Sequence, residues 1–215
     1  DGLAGWKRAP AYTRVGNPYR EIPSRQFDID TPDKANAFYV SRMPLKLQDT
    51  DADYPALYLA NYLFGASETS RLWNRVRETE GLSYNVRSSL SVSSFEPSAS
   101  WTMYAIYAPQ NRERLEKAIG EELARVLKDG FTDKEISDGI TALLNYRNLA
   151  RAQDDVLAST WLDYLQRGRT FEWSAEMDKK ISALTPETVN AALRKYLRPD
   201  GFSTAVAGDF KKKAP

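Results

Sequence analysis

Apolar and polar residues alternate along one stretch in the middle of the chain. From residue 83 to residue 92, apolar residues such as Val86 and Leu90 are separated by polar ones. A period of two predicts a half-buried β-strand, because successive side chains point to opposite faces of a sheet. Residues 95–98 predict a turn, and the aromatic run at 100–108 predicts a second strand. Together they predict an antiparallel hairpin.

Two further segments have strand composition. Residues 35–43 are rich in aromatic and β-branched side chains, and residues 203–207 form a short apolar run near the end of the chain. Between these strands the apolar residues recur at helical spacing. The predicted helices cover residues 54–64, 70–79, 112–128, a long segment that starts at Thr132, a run through 156–165, 171–184 and 186–197. The long segment from Thr132 has its apolar positions at Ile136, Ile140, Leu143, Leu144 and Leu149.

Start signals support several of these helices. Thr132 and Glu135 have the spacing of a capping box, and Thr185 followed by Pro186 is typical of a helix start. The order of strands and helices predicts an α+β fold, in which helices pack on one face of a mainly antiparallel sheet. Residues 1–34 differ, because recurrent prolines there oppose a helix. We expect residues 1–34 to be an extended Pro-rich linker arm and residues 35–215 to be the α+β domain.

Composition narrows the possible functions. The chain has 215 residues, 42% of them hydrophobic, which suffices for one large domain or two small ones. The net charge of +1 provides no bulk attraction to nucleic acid, and no apolar run approaches the roughly 20 residues of a membrane span. The chain begins at Asp1 without a visible signal segment, so we expect a processed or excised piece.

The sequence contains no His and no Cys. This excludes disulfides, thiol chemistry and a Ser-His-Asp triad, whereas a Ser-Lys pair stays possible without any marker for it. Three acids, Asp49, Asp51 and Asp53, are spaced by two residues as in a calcium loop. Counting from Asp49, an EF-hand needs Gly and Glu where Tyr54 and Ala60 stand. We therefore expect these acids to cap the following helix.

A candidate site comes from one block of sequence, residues 70–86. It places Arg77 near the end of a helix and Tyr84 at the start of a strand, with Glu80 and Gly81 making the turn between them. Two hydrogen-bond donors would thus be held close together on rigid elements. The plainer interpretation is that the Arg is solvated or paired and that the Tyr packs half-buried with a wet hydroxyl.

Neighbouring charges leave alternatives open. Arg71 and Arg75 are rival candidates for the functional cation. Glu78 and Glu80 have the spacing of a possible acid–base pair, but we favour surface charges that orient Arg77.

Five local blocks follow one another along the chain: Asp51-Ala52-Asp53-Tyr54, Leu63-Phe64-Gly65, Ser70-Arg71-Leu72, Arg77-Glu78-Thr79-Glu80-Gly81-Leu82-Ser83-Tyr84 and Ala207-Gly208-Asp209. With them, residues 35–209 resemble a domain of the pitrilysin/insulinase-type zinc metallopeptidases and of the related mitochondrial processing peptidase and cytochrome core subunits. Members of that family close two halves around a chamber, and the zinc half carries H-x-x-E-H. This chain lacks that motif and resembles the opposite, non-zinc half.

The resemblance implies a function. It places the substrate-binding, auxiliary catalytic donors of the non-zinc half on Arg77 and Tyr84. It implies no cofactor in this chain, zinc on an H-x-x-E-H-bearing partner half in the same polypeptide or a partner subunit, and a peptide or protein substrate. We expect a C-terminal domain of a zinc-dependent endopeptidase, inactive alone, possessing no membrane span and binding no nucleic acid.

The resemblance also suggests the last domain of a four-domain bacterial enzyme, with a periplasmic location favoured over a cytoplasmic one. Two alternatives remain at this point. One is a non-catalytic scaffold of the same fold, and the other is a peptide-binding domain that uses an exposed strand edge.

Overall fold

A single five-stranded sheet runs through the protein, seen in a computed structural model that describes residues 2, 4–7 and 11–211. Its strands are β1 (Gln26–Asp30), β2 (Ala37–Leu45), β3 (Ser83–Val92), β4 (Ala99–Tyr107) and β5 (Ser203–Gly208). The strand order is β1-β5-β2-β4-β3, with β1 parallel to β5 and every other neighbouring pair antiparallel. The predicted hairpin is confirmed as β3 and β4.

Seven helices account for most of the remaining described chain. They are α1 (Tyr54–Asn61), continued by a π-helical turn (Tyr62–Ala66), α2 (Arg71–Trp73), continued by a second π-helical segment (Asn74–Thr79), α3 (Arg112–Asp129), α4 (Asp133–Arg151), α5 (Asp154–Gln166), α6 (Phe171–Ser182) and α7 (Pro186–Tyr196). Short 3-10 turns cover Pro109–Asn111 and Pro199–Gly201. The predicted α+β class is confirmed.

The helices cover one face of the sheet. Along β2 and β4 the buried side chains alternate with more exposed ones, and the buried set includes Met43, Trp101 and Met103. These residues join helical side chains in one continuous core. On the opposite face, Phe38 and Ile106 remain 42% and 40% exposed. One side of the sheet therefore packs against the helices, and the other keeps partly exposed side chains, as the alternating pattern predicts.

Strand β1 is an element that the sequence analysis missed. Its five residues lie inside the predicted arm at 1–34 and pair in parallel with β5, from Gln26 opposite Thr204 to Asp30 opposite Gly208. All five residues are exposed, so their side chains show no clear alternation of apolar and polar positions. The strand is held by backbone pairing with β5, which leaves little trace in the sequence. The boundary at residue 35 stays a prediction, and residues 1, 3, 8–10 and 212–215 of the two predicted segments lie outside the described residues.

The helix starts follow the predicted chemistry, except at α1. The Thr132 hydroxyl accepts from the Glu135 amide while the Glu135 carboxylate accepts from the Thr132 amide, which confirms the capping box. At α1 the prediction is wrong, because the Asp53 side chain does not cap the helix. Asp53 instead accepts from the Lys195 ammonium at 2.6 Å and the Tyr196 hydroxyl at 3.2 Å, both on α7.

The other two acids of the supposed cap also bind elsewhere. Asp51 accepts from the Gln48 amide at 2.8 Å. Asp49 accepts two hydrogen bonds from Arg169, at 2.6 and 2.7 Å, and one from Ser94. Burial alone would raise the pKa of Asp49, but the hydrogen bonds and the Arg169 charge lower it below its usual value.

The predicted apolar stripe of α4 also needs correction. Leu143 is buried, whereas Leu149 is 68% exposed. Helix α5 likewise has apolar side chains at the surface, where Leu162 and Leu165 are 69% and 63% exposed. The helical spacing of apolar residues therefore predicts these helices correctly, but it does not predict which of their faces are buried within this chain.

Candidate functional site

Trp73 lies at the centre of the candidate site. Its side chain is buried, and the guanidinium carbons of Arg77 and Arg87 lie 4.2 and 3.8 Å from its ring centroid. Both distances are well within the range in which an aromatic ring attracts a cation. The ring thus supports two cations, one from its own helical segment and one from strand β3.

The backbone explains why Arg77 meets this ring. Ser70 caps the start of α2, its hydroxyl accepting from the Trp73 amide at 3.4 Å. Arg77 follows four residues after Trp73, and side chains at that spacing share one helix face. Glu78 completes the arrangement, since its carboxylate accepts from the Trp73 indole at 3.2 Å and lies 3.5 Å from the Arg77 Nε.

The predicted turn after this helix is confirmed. Gly81 has a φ of 62°, which favours glycine, and the Leu82 amide donates to the Val76 carbonyl at 2.9 Å. This closure brings the chain from the Arg77 segment directly into β3.

Tyr84 occupies an irregularity at the start of β3. Ser83 pairs with Tyr107 and Asn85 with Ile106, so Tyr84 is the extra residue of a β-bulge. The Ser83 hydroxyl fixes this bulge by donating to the Ile106 carbonyl at 2.6 Å and accepting from the Asn85 amide at 3.1 Å. Bulges re-aim side chains and are frequent beside active sites. The Tyr84 side chain is 90% exposed, which contradicts the half-buried alternative.

Neither candidate donor makes a hydrogen bond within the described residues. The Tyr84 hydroxyl has no partner there, whereas the Arg77 guanidinium is ion-paired with Glu78 at 3.5 Å and lies over the Trp73 ring. The Arg77 side chain is 40% exposed. The structure places the two residues at either end of the same turn, and no hydrogen bond or cation–π contact joins them.

The rival arginines are engaged in structural contacts. Arg71 donates to both carboxylate oxygens of Glu135, at 2.7 and 2.8 Å, and to the Gly130 carbonyl at 2.8 Å. Burial alone would raise the pKa of Glu135, but hydrogen bonds from Arg71 and Thr132, with the Arg71 charge, lower it to about 2. Arg71 therefore joins α2 to α4.

Arg75 is equally committed, and its partner corrects one prediction. It binds Glu80 and also Glu121, the latter at 2.9 Å. Glu80 lies 3.7 Å from Arg114 as well. The prediction that both Glu78 and Glu80 orient Arg77 is therefore wrong for Glu80, because only Glu78 lies beside Arg77.

Sequence reasoning missed two members of the site. Trp73 fell inside the predicted helix 70–79 without any assigned functional role, although its position four residues before Arg77 was a usable signal. Arg87 carried no signal, because its contact with Trp73 depends on how β3 packs beside the helical segment.

The described residues offer no metal site. Nowhere in residues 2, 4–7 and 11–211 do three or more His, Cys, Asp or Glu side chains form a group that could hold a metal ion. In the same part of the chain, none of the helices is long and apolar enough to cross a membrane.

The fold and the site define an α+β domain with exposed donors. A family model described as the peptidase M16 inactive domain matches residues 3–143, more than half of the chain. The chain therefore belongs to the peptidase M16 inactive-domain family, and the predicted resemblance to a non-zinc domain of this peptidase class is confirmed.

Relatives and solved structures agree with this assignment. The chain is 28% identical over 162 residues to an uncharacterized zinc protease of Mycobacterium leprae, covering 74% of this chain and 35% of that one. It is 38% identical over 82 residues to an uncharacterized zinc protease of Bacillus subtilis, covering 38% and 20%. A crystal structure of a peptidase M16 inactive domain from Pseudomonas fluorescens superposes with a TM-score of 0.78 at 24% identity, covering 93% and 46%.

The lengths of these relatives differ from that of this chain. The chain spans between a fifth and a half of the curated relatives and solved structures just described. A Helicobacter pylori relative, 22% identical over 197 residues and covered to 45%, bears the name non-peptidase homolog.

Proposed function

We propose that this chain is the non-zinc half of a zinc endopeptidase, in which Arg77 and Tyr84 donate hydrogen bonds to a bound peptide. The observation that carries the proposal is the state of these two side chains. Arg77 is held against the Trp73 ring and the Glu78 carboxylate, and Tyr84 is presented by a bulge, yet neither side chain makes a hydrogen bond within the described residues. Donors that are held in place and still have N–H or O–H groups to offer can position an extended peptide.

Each donor has a distinct role. The Arg77 guanidinium offers several planar donors and stays charged at any working pH, which suits the carbonyl oxygens of a peptide. The Tyr84 hydroxyl offers one directed donor. If the bound carbonyl gains negative charge during hydrolysis, donors aimed at that oxygen stabilise the transition state. The two residues therefore contribute both to holding the peptide and to stabilising charge.

The metal belongs to the other half in this proposal. Catalytic zinc is usually bound by His or Cys with one open position, and this chain has neither residue. Within the described residues, no group of three or more carboxylates could hold a metal ion. When bound to a partner half, zinc would supply an activated water and polarise the peptide carbonyl.

The comparisons support the existence of a second, zinc-binding half. Several relatives are named zinc proteases, and this chain corresponds to less than half of their length. The apolar side chains exposed on α5 are consistent with a surface that another domain covers. Whether that half lies in the same polypeptide or in a separate subunit is left open by the proposal.

A second candidate function is a scaffold without any role in hydrolysis. The Helicobacter pylori relative named non-peptidase homolog favours it. Under this alternative, Arg77 and Tyr84 matter only for packing and stability.

A reconstitution experiment tests the proposal. The zinc-binding stoichiometry and peptidase activity of this chain are measured alone and together with an H-x-x-E-H-bearing half, after chelation and zinc re-addition. The proposal expects neither tight zinc nor cleavage by the chain alone, and cleavage by the pair that exceeds that of the zinc half alone. Stoichiometric tight zinc with activity in the isolated chain would contradict it. So would a zinc half whose activity is unchanged by this chain.

A further inference from the structure

A cavity of about 500 Å³ opens beside the Arg77 site and has no assigned role. It lies between α1 with its π-helical continuation, strand β3 and helix α4. Its walls are Tyr58, Asn61, Tyr62, Ala66, Ser67, Glu68, Arg87, Leu143 and Tyr146. We propose that this cavity binds one aromatic or large aliphatic side chain of an extended peptide.

The apolar part of the wall suits such a side chain. Leu143 is 1% exposed and gives the wall a buried apolar surface, while Tyr146 is 60% exposed. Tyr58 and Tyr62 add two further rings from α1 and its continuation. The three phenols share this lining, and burial raises the pKa of Tyr62, with smaller contributions from Tyr146 and Tyr58. The three rings, Leu143 and Ala66 make up the apolar part of the lining, and such a mixture of apolar and polar walls is typical of ligand pockets.

A few polar groups complete the wall. The Asn61 Oδ1 accepts from the Ser88 hydroxyl at 2.8 Å, and its amide nitrogen has no hydrogen-bond partner in the described part of the chain. Arg87 lies 3.3 Å from the Glu68 carboxylate. Such groups could bind the backbone on either side of an inserted side chain, so the cavity suits a peptide better than a free hydrocarbon.

Three tyrosines around one cavity could also suggest a cage for a cation. The charges nearby disfavour that ligand. Arg87 lines the cavity itself, and the Arg147 guanidinium carbon lies 6.0 Å from the Tyr58 ring centroid. Although both arginines have acidic partners, a further cation would enter beside two guanidinium groups. A neutral side chain meets no such repulsion.

The cavity adjoins the proposed donor site through Arg87. The same Arg87 side chain that lines the cavity lies over the Trp73 ring that supports Arg77. Tyr84 precedes Arg87 by three residues in β3, which is roughly 10 Å of extended chain. A peptide bound at Tyr84 would need about three residues to reach the cavity. The inference rests on the proposed function in taking a peptide as the ligand, but not in requiring hydrolysis.

The test is a titration of the full chain followed by nitrogen-15 NMR. The probes are acetyl-Ala-Ala-Phe-Ala-Ala-amide and the same peptide with Ala in place of Phe. Burying one such side chain predicts at least tenfold tighter binding of the Phe peptide, with shift changes at residues 58–68 and 143–146. Equal affinities for the two peptides, or shift changes confined to other residues, would overturn the proposal.

Variants separate this site from the donor site. Tyr62→Ala and Tyr146→Ala should each weaken binding of the Phe peptide at least threefold. The control Leu149→Ala, on the same helix but outside the lining, should not weaken it. Because Tyr146 is largely exposed, its variant remains informative even if Tyr62→Ala unfolds. Unchanged affinity in Tyr146→Ala would contradict the proposal. Arg77→Ala should preserve the preference for the Phe peptide. The test of the cavity therefore does not depend on whether Arg77 acts as a donor.

Discussion

The Arg77 guanidinium carbon lies 4.2 Å from the centroid of the Trp73 ring, four residues earlier in the same helical segment. The ring is buried and the cation is partly exposed, so an immobile surface supports a charge that can reach a ligand. Glu78 contacts both groups. This arrangement restricts the Arg77 guanidinium before any peptide binds, so less conformational entropy is lost on binding.

Trp73 should therefore matter for stability as well as for the site. Trp73→Ala removes a buried ring and should lower the free energy of unfolding by about 3–5 kcal/mol. Trp73→Phe keeps a ring but loses the indole hydrogen bond to Glu78, at a cost of about 1 kcal/mol. Urea unfolding measures both, with Trp161→Ala as a control at a 55% exposed tryptophan. A Trp73→Ala cost no larger than that of Trp161→Ala would contradict the packing described.

Two glycines should respond oppositely to the same substitution. A Cβ at Gly65 would lie 2.6 Å from the Ser88 Oγ and 2.8 Å from the Ser88 backbone nitrogen, so Gly65→Ala should destabilise by about 1–3 kcal/mol. At Gly120, within α3, a Cβ meets nothing within 4 Å. Gly120→Ala should stabilise by about 0.5–1 kcal/mol through helix propensity. Thermal or urea unfolding checks the pair, and equal signs would refute the close approach at Gly65.

The Arg71–Glu135 pair should make stability depend on acid pH. The pKa of Glu135 is about 2 in the folded protein against 4.5 for the ordinary group, so the unfolded state binds the proton more readily. Its contribution is present above about pH 4.5 and is lost as the pH falls towards 2. Glu135→Gln should flatten the fall in unfolding free energy over this window. The exposed Glu21→Gln is the control, and identical slopes in wild type and Glu135→Gln would rule the contribution out.

The exposed apolar side chains of α5 allow a test of where the zinc half would contact this chain. Leu162→Ser should change the free energy of unfolding of this chain by no more than about 0.5 kcal/mol, because the side chain is 69% exposed. If the zinc half covers this surface, the same change should weaken association of the two halves at least tenfold. Calorimetry of the association measures the effect, with the exposed Arg198→Ala as the matched control. Unaltered association would remove α5 from the interface.

Local patterns predicted much of the fold. The period of two at residues 83–92 predicted β3 with its observed bounds, and the Thr132 capping box predicted the start of α4. These features depend on neighbouring residues alone. The predicted helix 54–64 stops before Gly65, but in the structure Gly65 lies inside a π-helical turn packed against Ser88. That role depends on a strand more than 20 residues away in sequence, so the residue itself carries no mark of it.

The site was predictable in part for the same reason. Arg77, the turn at Gly81 and the strand starting at Ser83 follow from one continuous block. The bulge at Tyr84 does not, because a bulge exists only in register with a partner strand, here β4. The approach of Arg87 to Trp73 is likewise a product of tertiary packing.

Steady-state kinetics of the assembled two-half enzyme test the central claim most directly. The variants are Arg77→Ala, Tyr84→Phe and the double variant, with Arg198→Ala and Tyr12→Phe as exposed controls and thermal melts to verify folding. Loss of a donor to the developing oxyanion should lower kcat by about 10²–10³, whereas loss of a ground-state contact should raise KM. Arg77→Lys should restore activity only partly, because its ammonium lacks the planar fork. The account predicts non-additive losses in the double variant, since both residues act on one peptide. Full activity in a folded double variant would contradict the donor role and favour the scaffold.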